Sequence, residues 1–238
     1  MSTEAAKEAG KRAAARAALE HVTDGMKLGL GTGSTAQIFV ELLGERIAAE
    51  GLQVSCVPTS QATGRDAQRA GAPLTTLNAA GWLDLTIDGA DEVDPALALI
   101  KGGGGALLIE KIVACASDRM IVIADDSKRV ETLGRFPLPV EITPYGWQTT
   151  CAVVESALAE HDVDACKAEL RMRRDEPFLT DEGNMILDLP LKRIGDAAAL
   201  ERGLTMIPGV VETGLFVGVA DLAIFGTAEG GAETLSAA

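Results

Sequence analysis

The chain has 238 residues, of which 47% are hydrophobic, 24% are charged and only 3% are aromatic. Its length is sufficient for one large domain or two small ones, and a composition rich in Ala, Val, Leu and Gly favours α/β packing over a β-sandwich. The formal net charge of -14 argues against a nucleic-acid partner, because no run of Lys and Arg offsets the negative field.

The N-terminal segment, residues 1–22, has the pattern of an amphipathic helix. It lacks the unbroken apolar core of a secretory signal, and Glu4, Glu8 and Glu20 disfavour a transit peptide. Apolar stretches elsewhere fall short of the ~18 residues that a membrane span needs, so we expect no membrane partner.

The cysteines are widely spaced and form no CxxC motif. They are Cys56, Cys115, Cys151 and Cys166. Because they lie mostly among Val, Ala and Ile, we expect buried thiols in a reducing compartment, the cytoplasm.

From residue 26 to about 125, short apolar runs alternate with helical patterns. The predicted strands are 26–31, 52–58, 83–88 and 119–126, and the predicted helices are 34–50, 60–72 and 106–116. This alternation predicts right-handed βαβ units and a Rossmann-like, mainly parallel sheet with helices on both faces. Ligands of such sheets bind at the carboxyl ends of the strands.

Three prolines between Phe136 and Pro144 interrupt the alternation of strand and helix patterns. They indicate that the chain passes from one domain to another here. A small α+β domain is predicted at 134–207, with helices at about 146–160 and 195–205. The two apolar runs after it, at 207–218 and 221–227, could complete either domain.

The first loop of the α/β region contains G-x-G-x-x-A at Gly31, Gly33 and Ala36, a permitted form of the dinucleotide fingerprint. An NAD site also needs an acidic residue at the end of the second strand. That strand ends at Pro58, and Glu50 precedes it, so the hypothesis of an NAD-dependent oxidoreductase loses its second requirement.

Without the NAD hypothesis, the same loop still has the features of a phosphate-binding site. Its glycines allow close approach, and Thr32, Ser34 and Thr35 offer hydroxyls and backbone amides at the start of a helix. The alternative stays open that Ser34 or Thr35 is only an N-cap on a glycine turn without a ligand.

An acidic cluster follows the third predicted strand. It consists of Asp88, Asp91, Glu92 and Asp94. Crowded carboxylates either bind a cation or raise one another's pKa values, although Asp is also an ordinary turn residue and Glu92 and Asp94 could be solvated loop charges.

A run of four glycines, Gly102 to Gly105, comes next and is preceded by Lys101. Consecutive glycines cost backbone entropy, so the run indicates a backbone that wraps closely around something. The helix after it carries Glu110, which could project from a partly apolar face that lifts its pKa; the alternative is an ordinary surface glutamate.

A further polar segment, residues 125–128, also follows a strand, so four loops are expected to converge on one crevice. A metal site is weakly supported, because neither His21 nor His161 lies near these acids in the sequence. Both histidines are interpreted as ordinary helix residues.

Seven motifs in order resemble those of the ribose 5-phosphate isomerase family, type A, from the N-terminal helix to about residue 227. They are GTGSTA, DGADEVD, KGGGGAL..EK, IADDSK, FPLPVE, GN.ILD and IPGVVETGLF. The resemblance implies a Rossmann-like catalytic domain of residues 1–133 with 208–238, and a small α+β, ferredoxin-like lid domain of residues 134–207. It also implies a homodimer or homotetramer that acts on a phosphosugar without a metal or cofactor.

The family interconverts ribose 5-phosphate and ribulose 5-phosphate through an enediolate, in the non-oxidative pentose phosphate pathway and the Calvin cycle. Position by position, the resemblance makes Glu110 the base, with Asp88, Asp91 and Lys101 around the reacting oxygens. It implies substrate contacts at Thr32, Gly33, Ser34, Thr35, Gly89, Ala90, Gly102, Gly103, Gly104 and Lys128. Lys11 aligns with a lysine that approaches the phosphate.

The chain departs from the family pattern at two places. Leu108 and Ile109 stand where the family commonly has Thr-Arg before the base, and Gly105 stands where alanine is frequent, a change expected to matter little. A non-catalytic sugar-phosphate sensor on the same fold is the alternative function, although the chain has neither the length nor the charge for an added DNA-binding module.

Overall fold

The computed structural model describes residues 4–236. In chain order its helices are α1 (Glu4–Leu19), α2 (Ser34–Glu50), α3 (Gln61–Ala70), α4 (Leu77–Ala80), α5 (Leu107–Cys115), α6 (Trp147–Leu158) and α7 (Ala197–Thr205), with a 3-10 turn at Asp126–Lys128. Its strands are β1 (Lys27–Leu30), β2 (Ser55–Pro58), β3 (Leu85–Gly89), β4 (Glu92–Val93), β5 (Leu99–Ile100), β6 (Met120–Asp125), β7 (Leu138–Ile142), β8 (Glu169–Leu170), β9 (Met172–Arg173), β10 (Glu176–Pro177), β11 (Met185–Leu189), β12 (Val210–Thr213), β13 (Leu215–Phe216), β14 (Leu222–Gly226) and β15 (Ala232–Ser236).

The described residues form two compact units. The first comprises 4–90, 109–129 and 218–236, and the second comprises 91–108 and 130–217. The small domain expected at 134–207 lies within the second unit, which is larger than that range. Residues 91–108 belong to it because β5 pairs with both β4 and β13. The apolar run at 207–218 supplies strands to the second unit, and β14 completes the first.

The first unit contains a six-stranded sheet in the order β15-β14-β6-β3-β1-β2. All neighbouring strands are parallel except β14 and β15, which confirms the mainly parallel α/β sheet. From β1 the chain first adds β2 on one side and then returns to add β3 on the other. The switch point of the sheet therefore lies between β1 and β3, where ligands of doubly wound sheets bind.

Helices cover both faces of this sheet, as predicted. Neighbouring residues of a strand point to opposite faces. Cys56 packs in the cluster formed with α1 and α2, whereas Val57 packs in the cluster formed with α4 and α5. Gly29 pairs with Val57 and shares its face, and a Cβ on Gly29 would lie 2.7 Å from Val113. The glycine thus lets α5 approach β1 closely.

Helix α1 confirms the amphipathic pattern over the described part of residues 1–22; residues 1–3 lie outside the described residues. Small side chains form its buried stripe, including Ala14, Ala15 and Ala18, which have no exposed surface. A Cβ on Gly10 would lie 2.6 Å from the carbonyl oxygen of Gly226. The small residues allow the helix to lie directly against β14.

The second unit contains a β-α-β-β-α-β sequence of main elements, β7-α6-β8-β11-α7-β12. The strands form an antiparallel sheet in the order β12-β7-β11-β8. Helices α6 and α7 bury Val154 and Leu200 in the same cluster as Leu138, Val140 and Ile142 of β7. This is the α+β layer that the sequence pattern predicts. A short hairpin, β9-β10, interrupts it between β8 and β11.

The prediction of buried thiols is wrong for most of the cysteines. Cys56 is buried, and burial raises the pKa of its thiol to about 12. Cys115 ends α5 and Cys166 lies in the irregular segment before β8, and both are exposed, while Cys151 is half-buried. Apolar sequence neighbours do not bury a residue that lies at a helix end or in a connection. Within residues 4–236, no helix is both long and apolar enough to cross a membrane.

Candidate active site

The hydroxyl loop, residues 31–35, connects β1 to α2 at the switch point. Gly33 is the N-cap of α2, with φ at +117° and ψ at 174°, and no side chain caps the helix. The interpretation of Ser34 or Thr35 as a simple N-cap is therefore wrong, because both lie inside the helix. The amides of the first turn lack an intrahelical acceptor by geometry, and the helix dipole favours an anion there.

The hydroxyl of Thr32 lies at the centre of a network of hydroxyl groups. Its Oγ1 is 2.7 Å from Oγ1 of Thr59, 2.9 Å from Oγ of Ser60 and 3.0 Å from Oγ1 of Thr63. Thr63 in turn donates to the carbonyl of Gly31 at 2.9 Å. The sequence prediction missed these partners. The available signal was their position just after β2, the strand that lies beside β1.

Asp88, at the end of β3, is fully buried and joins its own loop to the hydroxyl loop. Its Oδ1 accepts hydrogen bonds from the backbone amides of Thr32 at 3.0 Å and Gly89 at 2.7 Å. A Cβ on Gly31 would lie 2.0 Å from Oδ1 and 2.5 Å from Cα of Asp88. Glycine at position 31 is therefore required by the close approach of two loops, a reason different from the approach of an anion that the sequence pattern suggests.

Glu110 lies in the first turn of α5 and is only 3% exposed. It is one turn before Val113, on the side of the helix that packs against the sheet. The other end of α5 leads directly to the start of β6, so the first turn lies toward the carboxyl ends of the strands. Thr86 pairs with Gly29, which places Thr86 and Asp88 on the sheet face that α5 covers. The interpretation of Glu110 as a surface residue is wrong.

The helix face before Glu110 also explains one departure from the family pattern. Ile109 packs against a small apolar cluster that contains Val57, Leu83 and Val113. An isoleucine at this position therefore has a packing role in the first unit.

Lys128 ends the 3-10 turn that follows β6 and is half-buried. Asp125 begins this turn, and its Oδ1 accepts a hydrogen bond from the amide of Ser127 at 3.1 Å. Asp125 is 3% exposed, so its carboxylate serves as a cap that shapes the turn. The turn places Lys128 at the carboxyl end of the central strand β6.

The glycine loop, residues 101–105, lies in the second unit and follows β5. Lys101 is 2% exposed, its amide donates to the carbonyl of Gly214 at 2.8 Å, and its ammonium lies 5.4 Å from the centroid of the Phe216 ring. The amide of Gly103 donates to Oδ2 of Asp91 at 2.8 Å. Asp91 and the glycine loop are therefore in direct contact.

Gly105 is less replaceable than the family comparison implies. Its φ is +81°, in the left-handed region, and a Cβ would lie 2.5 Å from the ring of Phe178. Both the backbone conformation and the lack of space favour glycine in this chain.

Two acids of the predicted cluster have structural roles in the second unit. Glu92 is fully buried and accepts hydrogen bonds from the amides of Gly134 at 2.8 Å and Phe136 at 2.7 Å. Asp94 accepts from the amides of Ala96 and Ala98 and closes the turn between β4 and β5. The interpretation of Glu92 as a solvated charge is wrong, because two backbone amides hold its carboxylate in the interior.

The expected site residues fall into two groups. In the first unit, direct hydrogen bonds join Thr32, Asp88 and Gly89, and Gly33, Ser34, Thr35, Ala90, Glu110 and Lys128 lie on the same unit. In the second unit, a hydrogen bond joins Asp91 to Gly103, and Lys101, Gly102 and Gly104 lie in the same glycine loop. Two boundaries between the units fall inside motifs of the sequence. One lies after residue 90, within DGADEVD, and the other lies after residue 108, within KGGGGAL..EK.

The first unit thus has the architecture of an enzyme for small anionic substrates. An open helix N-terminus and a buried carboxylate meet at the switch point of its doubly wound sheet, and a second buried carboxylate lies on the covering helix.

Comparison with known proteins identifies the family. Residues 55–230 match the model of ribose 5-phosphate isomerase A, also called phosphoriboisomerase A. The ribose-5-phosphate isomerase A of Bradyrhizobium diazoefficiens is 58% identical over 224 residues, which cover 92% of each chain. That of Jannaschia sp. is 56% identical over 223 residues, which cover 94% of this chain and 85% of the relative.

Solved structures agree with this match. A D-ribose-5-phosphate isomerase in complex with phospho-erythronic acid superposes with a TM-score of 0.89 at 40% identity, covering 97% of this chain and 99% of the other. The chain therefore belongs to the ribose 5-phosphate isomerase A family, and it is an isomerase.

Proposed function

We propose that the protein interconverts D-ribose 5-phosphate and D-ribulose 5-phosphate by metal-free proton transfer through an enediolate. The observation that carries the proposal is Glu110, a buried carboxylate in the first turn of α5, at the carboxyl edge of the sheet. An aldose-ketose isomerase needs one base that reaches two adjacent carbons, and a carboxylate in an apolar setting can fill that role at neutral pH. Glu110 takes the proton from C2 of the open-chain aldose and returns it to C1.

The remaining polar groups act on the oxygens of the sugar. The buried Lys101 supplies positive charge for the oxyanion that develops when the proton leaves. Asp88 and Asp91 hold the sugar hydroxyls and assist opening of the furanose ring, because the proton transfer requires the linear form. Both carboxylates are held in place by backbone amides, which limits their reorganisation during the reaction.

The phosphate binds at the hydroxyl loop. Ser34 and Thr35 present backbone amides and hydroxyls in the first turn of α2, while the hydroxyl of Thr32 is occupied by the network behind the loop. Thr32 therefore contributes its position more than its side chain. Gly33, Gly89, Ala90, Gly102, Gly103, Gly104 and Lys128 are proposed as further substrate contacts. The related isomerase that binds phospho-erythronic acid supports a phosphosugar ligand.

The test is conversion of D-ribose 5-phosphate by the purified protein in the presence of EDTA, followed by NMR in D2O. We expect ketose formation together with deuterium incorporation at C1, because the proton on the carboxylate exchanges with solvent. Glu110→Gln is expected to lower kcat by about 100-fold to 10,000-fold, the range typical of a lost general base.

Glu155→Gln is the control for the substitution itself, since Glu155 is a half-buried glutamate on α6 of the second unit whose carboxylate accepts a hydrogen bond from the amide of Ala168. We expect its kcat to stay close to that of the wild type. An inactive wild type that still binds phospho-erythronic acid would instead support a non-catalytic sensor. Activity that EDTA abolishes and a divalent metal restores would contradict the metal-free mechanism.

The context of the reaction follows from the family. We propose that the enzyme serves the non-oxidative pentose phosphate pathway or the Calvin cycle, that it acts in the cytoplasm, and that it assembles as a homodimer or homotetramer. Size-exclusion chromatography with light scattering measures the last of these directly.

A further inference from the structure

Arg171 connects the hairpin region of the second unit to the glycine loop. It lies between β8 and β9, and its side chain is only 14% exposed. Its Nη1 donates to the carbonyl oxygens of Gly102 at 2.8 Å and Gly103 at 3.2 Å. The guanidinium therefore binds two consecutive carbonyls of a loop almost 70 residues earlier in the chain.

The other edge of the guanidinium is fixed by a carboxylate. Nε of Arg171 donates to Oδ2 of Asp188 at 2.8 Å, and Nη2 donates to Oδ1 at 2.5 Å. This is a bidentate pair, whose two parallel hydrogen bonds set the plane of the guanidinium. Asp188 lies on β11, so a strand of the main antiparallel sheet orients the group that holds the glycine loop.

The aromatic ring of Phe178 is a third group that contacts the guanidinium of Arg171. The guanidinium carbon of Arg171 lies 5.9 Å from the centroid of the Phe178 ring, and the amide of Phe178 donates to the carbonyl of Arg171 at 2.9 Å. The same ring faces Gly105, where a Cβ would lie only 2.5 Å away. Phe178 thus contacts both the arginine and the end of the glycine loop.

The glycine loop is consequently held from two sides by opposite charges. Asp91 accepts the amide of Gly103, and Arg171 donates to the carbonyl of the same residue. Glycines have the largest backbone freedom of all residues, so such a loop needs external contacts to keep one conformation. Lysine could not replace these contacts, because an ammonium cannot bind a carboxylate bidentately while it donates to two carbonyls in a fixed plane.

We propose that Arg171, oriented by Asp188, is a positioning residue for the glycine loop in the isomerase reaction. It holds the carbonyls of Gly102 and Gly103 so that the loop amides and the adjacent Lys101 keep the geometry that the substrate requires. This inference rests on the proposed function, because the loop is expected to line the phosphosugar. Arg171 acts through the loop and is not itself a group that touches the substrate.

The test compares Arg171→Ala with Arg193→Ala. Arg193 is a matched control because it also pairs with carboxylates of the second unit, Asp162 and Asp164, but it is 40% exposed and its side-chain partners lie outside the glycine loop. We expect Arg171→Ala to lower kcat/KM by about 10-fold to 100-fold, the range associated with small misplacements of an active-site group. Arg193→Ala should remain within about twofold of the wild type, as expected for an exposed ion pair.

Two further measurements separate positioning from a general structural role. Millimolar guanidinium chloride should restore part of the kcat/KM of Arg171→Ala and should leave Arg193→Ala unchanged. Hydrogen exchange at residues 102–105 should be faster in Arg171→Ala while the rest of the second unit is unaffected. If Arg171→Ala does not fold, Asp188→Asn keeps the guanidinium and breaks only its orientation, and the same loss of kcat/KM is expected.

Kinetic constants of Arg171→Ala and Asp188→Asn within twofold of the wild type would overturn the inference. A loss of melting temperature in Arg171→Ala without a change in kcat/KM would overturn it as well, because that result shows only a structural role. An inactive wild type in the same series would refute the proposed function instead, so the two failures are distinguishable.

Discussion

The hydroxyl loop and the glycine loop are both expected to bind the same small substrate, but the protein holds them in different ways. The hydroxyl loop is held by the hydroxyls after β2 and by the carboxylate at the end of β3, the two strands beside β1. The glycine loop is held by charged side chains, Asp91 on one side and Arg171 on the other. The first arrangement follows from strand order, and the second depends on a distant hairpin.

This difference has a physical consequence for substitutions. Around the hydroxyl loop, the backbone at Gly31 lies close to the backbone at Asp88. A larger side chain at position 31 would therefore meet backbone atoms that cannot move away. Around Gly103 of the glycine loop the nearest atoms belong to the end of the Asp91 side chain, which can adjust when volume is added. Removal of a charged side chain, in contrast, leaves the glycine loop without one of its supports.

The largest contrast is expected between Gly31→Ala and Gly103→Ala. The new Cβ at position 31 would lie 2.5 Å from Cα of Asp88, whereas at position 103 its nearest atoms would be those of the Asp91 carboxylate, the first at 2.8 Å. We expect Gly31→Ala to lower the free energy of unfolding by about 1–3 kcal/mol and to abolish most activity, because Asp88 must move. Gly103→Ala should lose less stability.

Urea unfolding and kcat/KM of both variants measure this contrast. Gly64→Ala is the control for the substitution itself, because Gly64 lies inside α3 with ordinary van der Waals space and should gain stability. Equal losses in the variants at positions 31 and 103 would show that the two loops are not supported differently.

A smaller contrast is expected within the hydroxyl loop, between Thr32→Val and Ser34→Ala. The valine leaves three partner hydroxyls without the central group, so we expect a loss of about 1–3 kcal/mol in the free energy of unfolding. Ser34 is exposed at the start of α2, and its loss should raise KM by about tenfold with little change in kcat or stability.

Thermal unfolding and steady-state kinetics on both variants separate these effects. Thr32→Ser is the control that keeps the hydroxyl, and it should retain most of the stability. A fall in kcat with unchanged KM in Ser34→Ala would mean that the hydroxyl loop does not bind the phosphate.

The smallest effect is expected at Glu141, which lies in the second unit close to the end of the glycine loop. Burial raises the pKa of its carboxyl, and hydrogen bonds from Asn184, Thr180 and the backbone of Leu108 reduce that shift only in part. Because the folded state takes up the proton more readily than the unfolded state, this contribution to stability is present below the unfolded pKa. It is lost as the pH rises through the folded pKa.

Glu141→Gln should therefore flatten the fall of melting temperature over the pH range that begins at the ordinary pKa of a glutamate carboxyl, about 4.3, and extends upward, since glutamine does not ionise. The measurement is the difference in melting temperature between wild type and variant across this range. A difference that does not change with pH would show that Glu141 has the same pKa in the folded and unfolded states.

Most of the first unit could be predicted from the sequence. Helix α2 has the predicted bounds, and β1, β3 and β6 begin or end within two residues of the predicted runs. Their apolar runs are bounded by glycines and polar residues, which is a local signal. The absence of an acidic residue after β2, which argues against an NAD site, could also be predicted from the sequence, because Thr59 and Ser60 follow the strand directly.

The contacts that hold the candidate site could not be predicted in the same way. Glu92 is one of four acids in a short segment rich in turn residues. Nothing in the local sequence shows that Glu92 is buried and binds backbone amides, whereas Asp94 closes a turn. Arg171 lies in a charged stretch, residues 169–176, where nothing local distinguishes it from the neighbouring arginines. Its importance depends on which loop the hairpin meets.

By itself, the sequence determined the order of strands and helices, the loops that carry chemistry and the family to which the chain is similar. These features depend on hydrophobic periodicity, turn residues and motif spacing, which are properties of neighbouring residues. Only the tertiary structure decided that Thr32 is the centre of a hydroxyl network, that Asp88 bridges two loops and that Arg171 supports the glycine loop. The reason is that such hydrogen bonds join residues 27 to 69 positions apart, and only the packing of strands, loops and hairpin in the folded chain brings them within bonding distance.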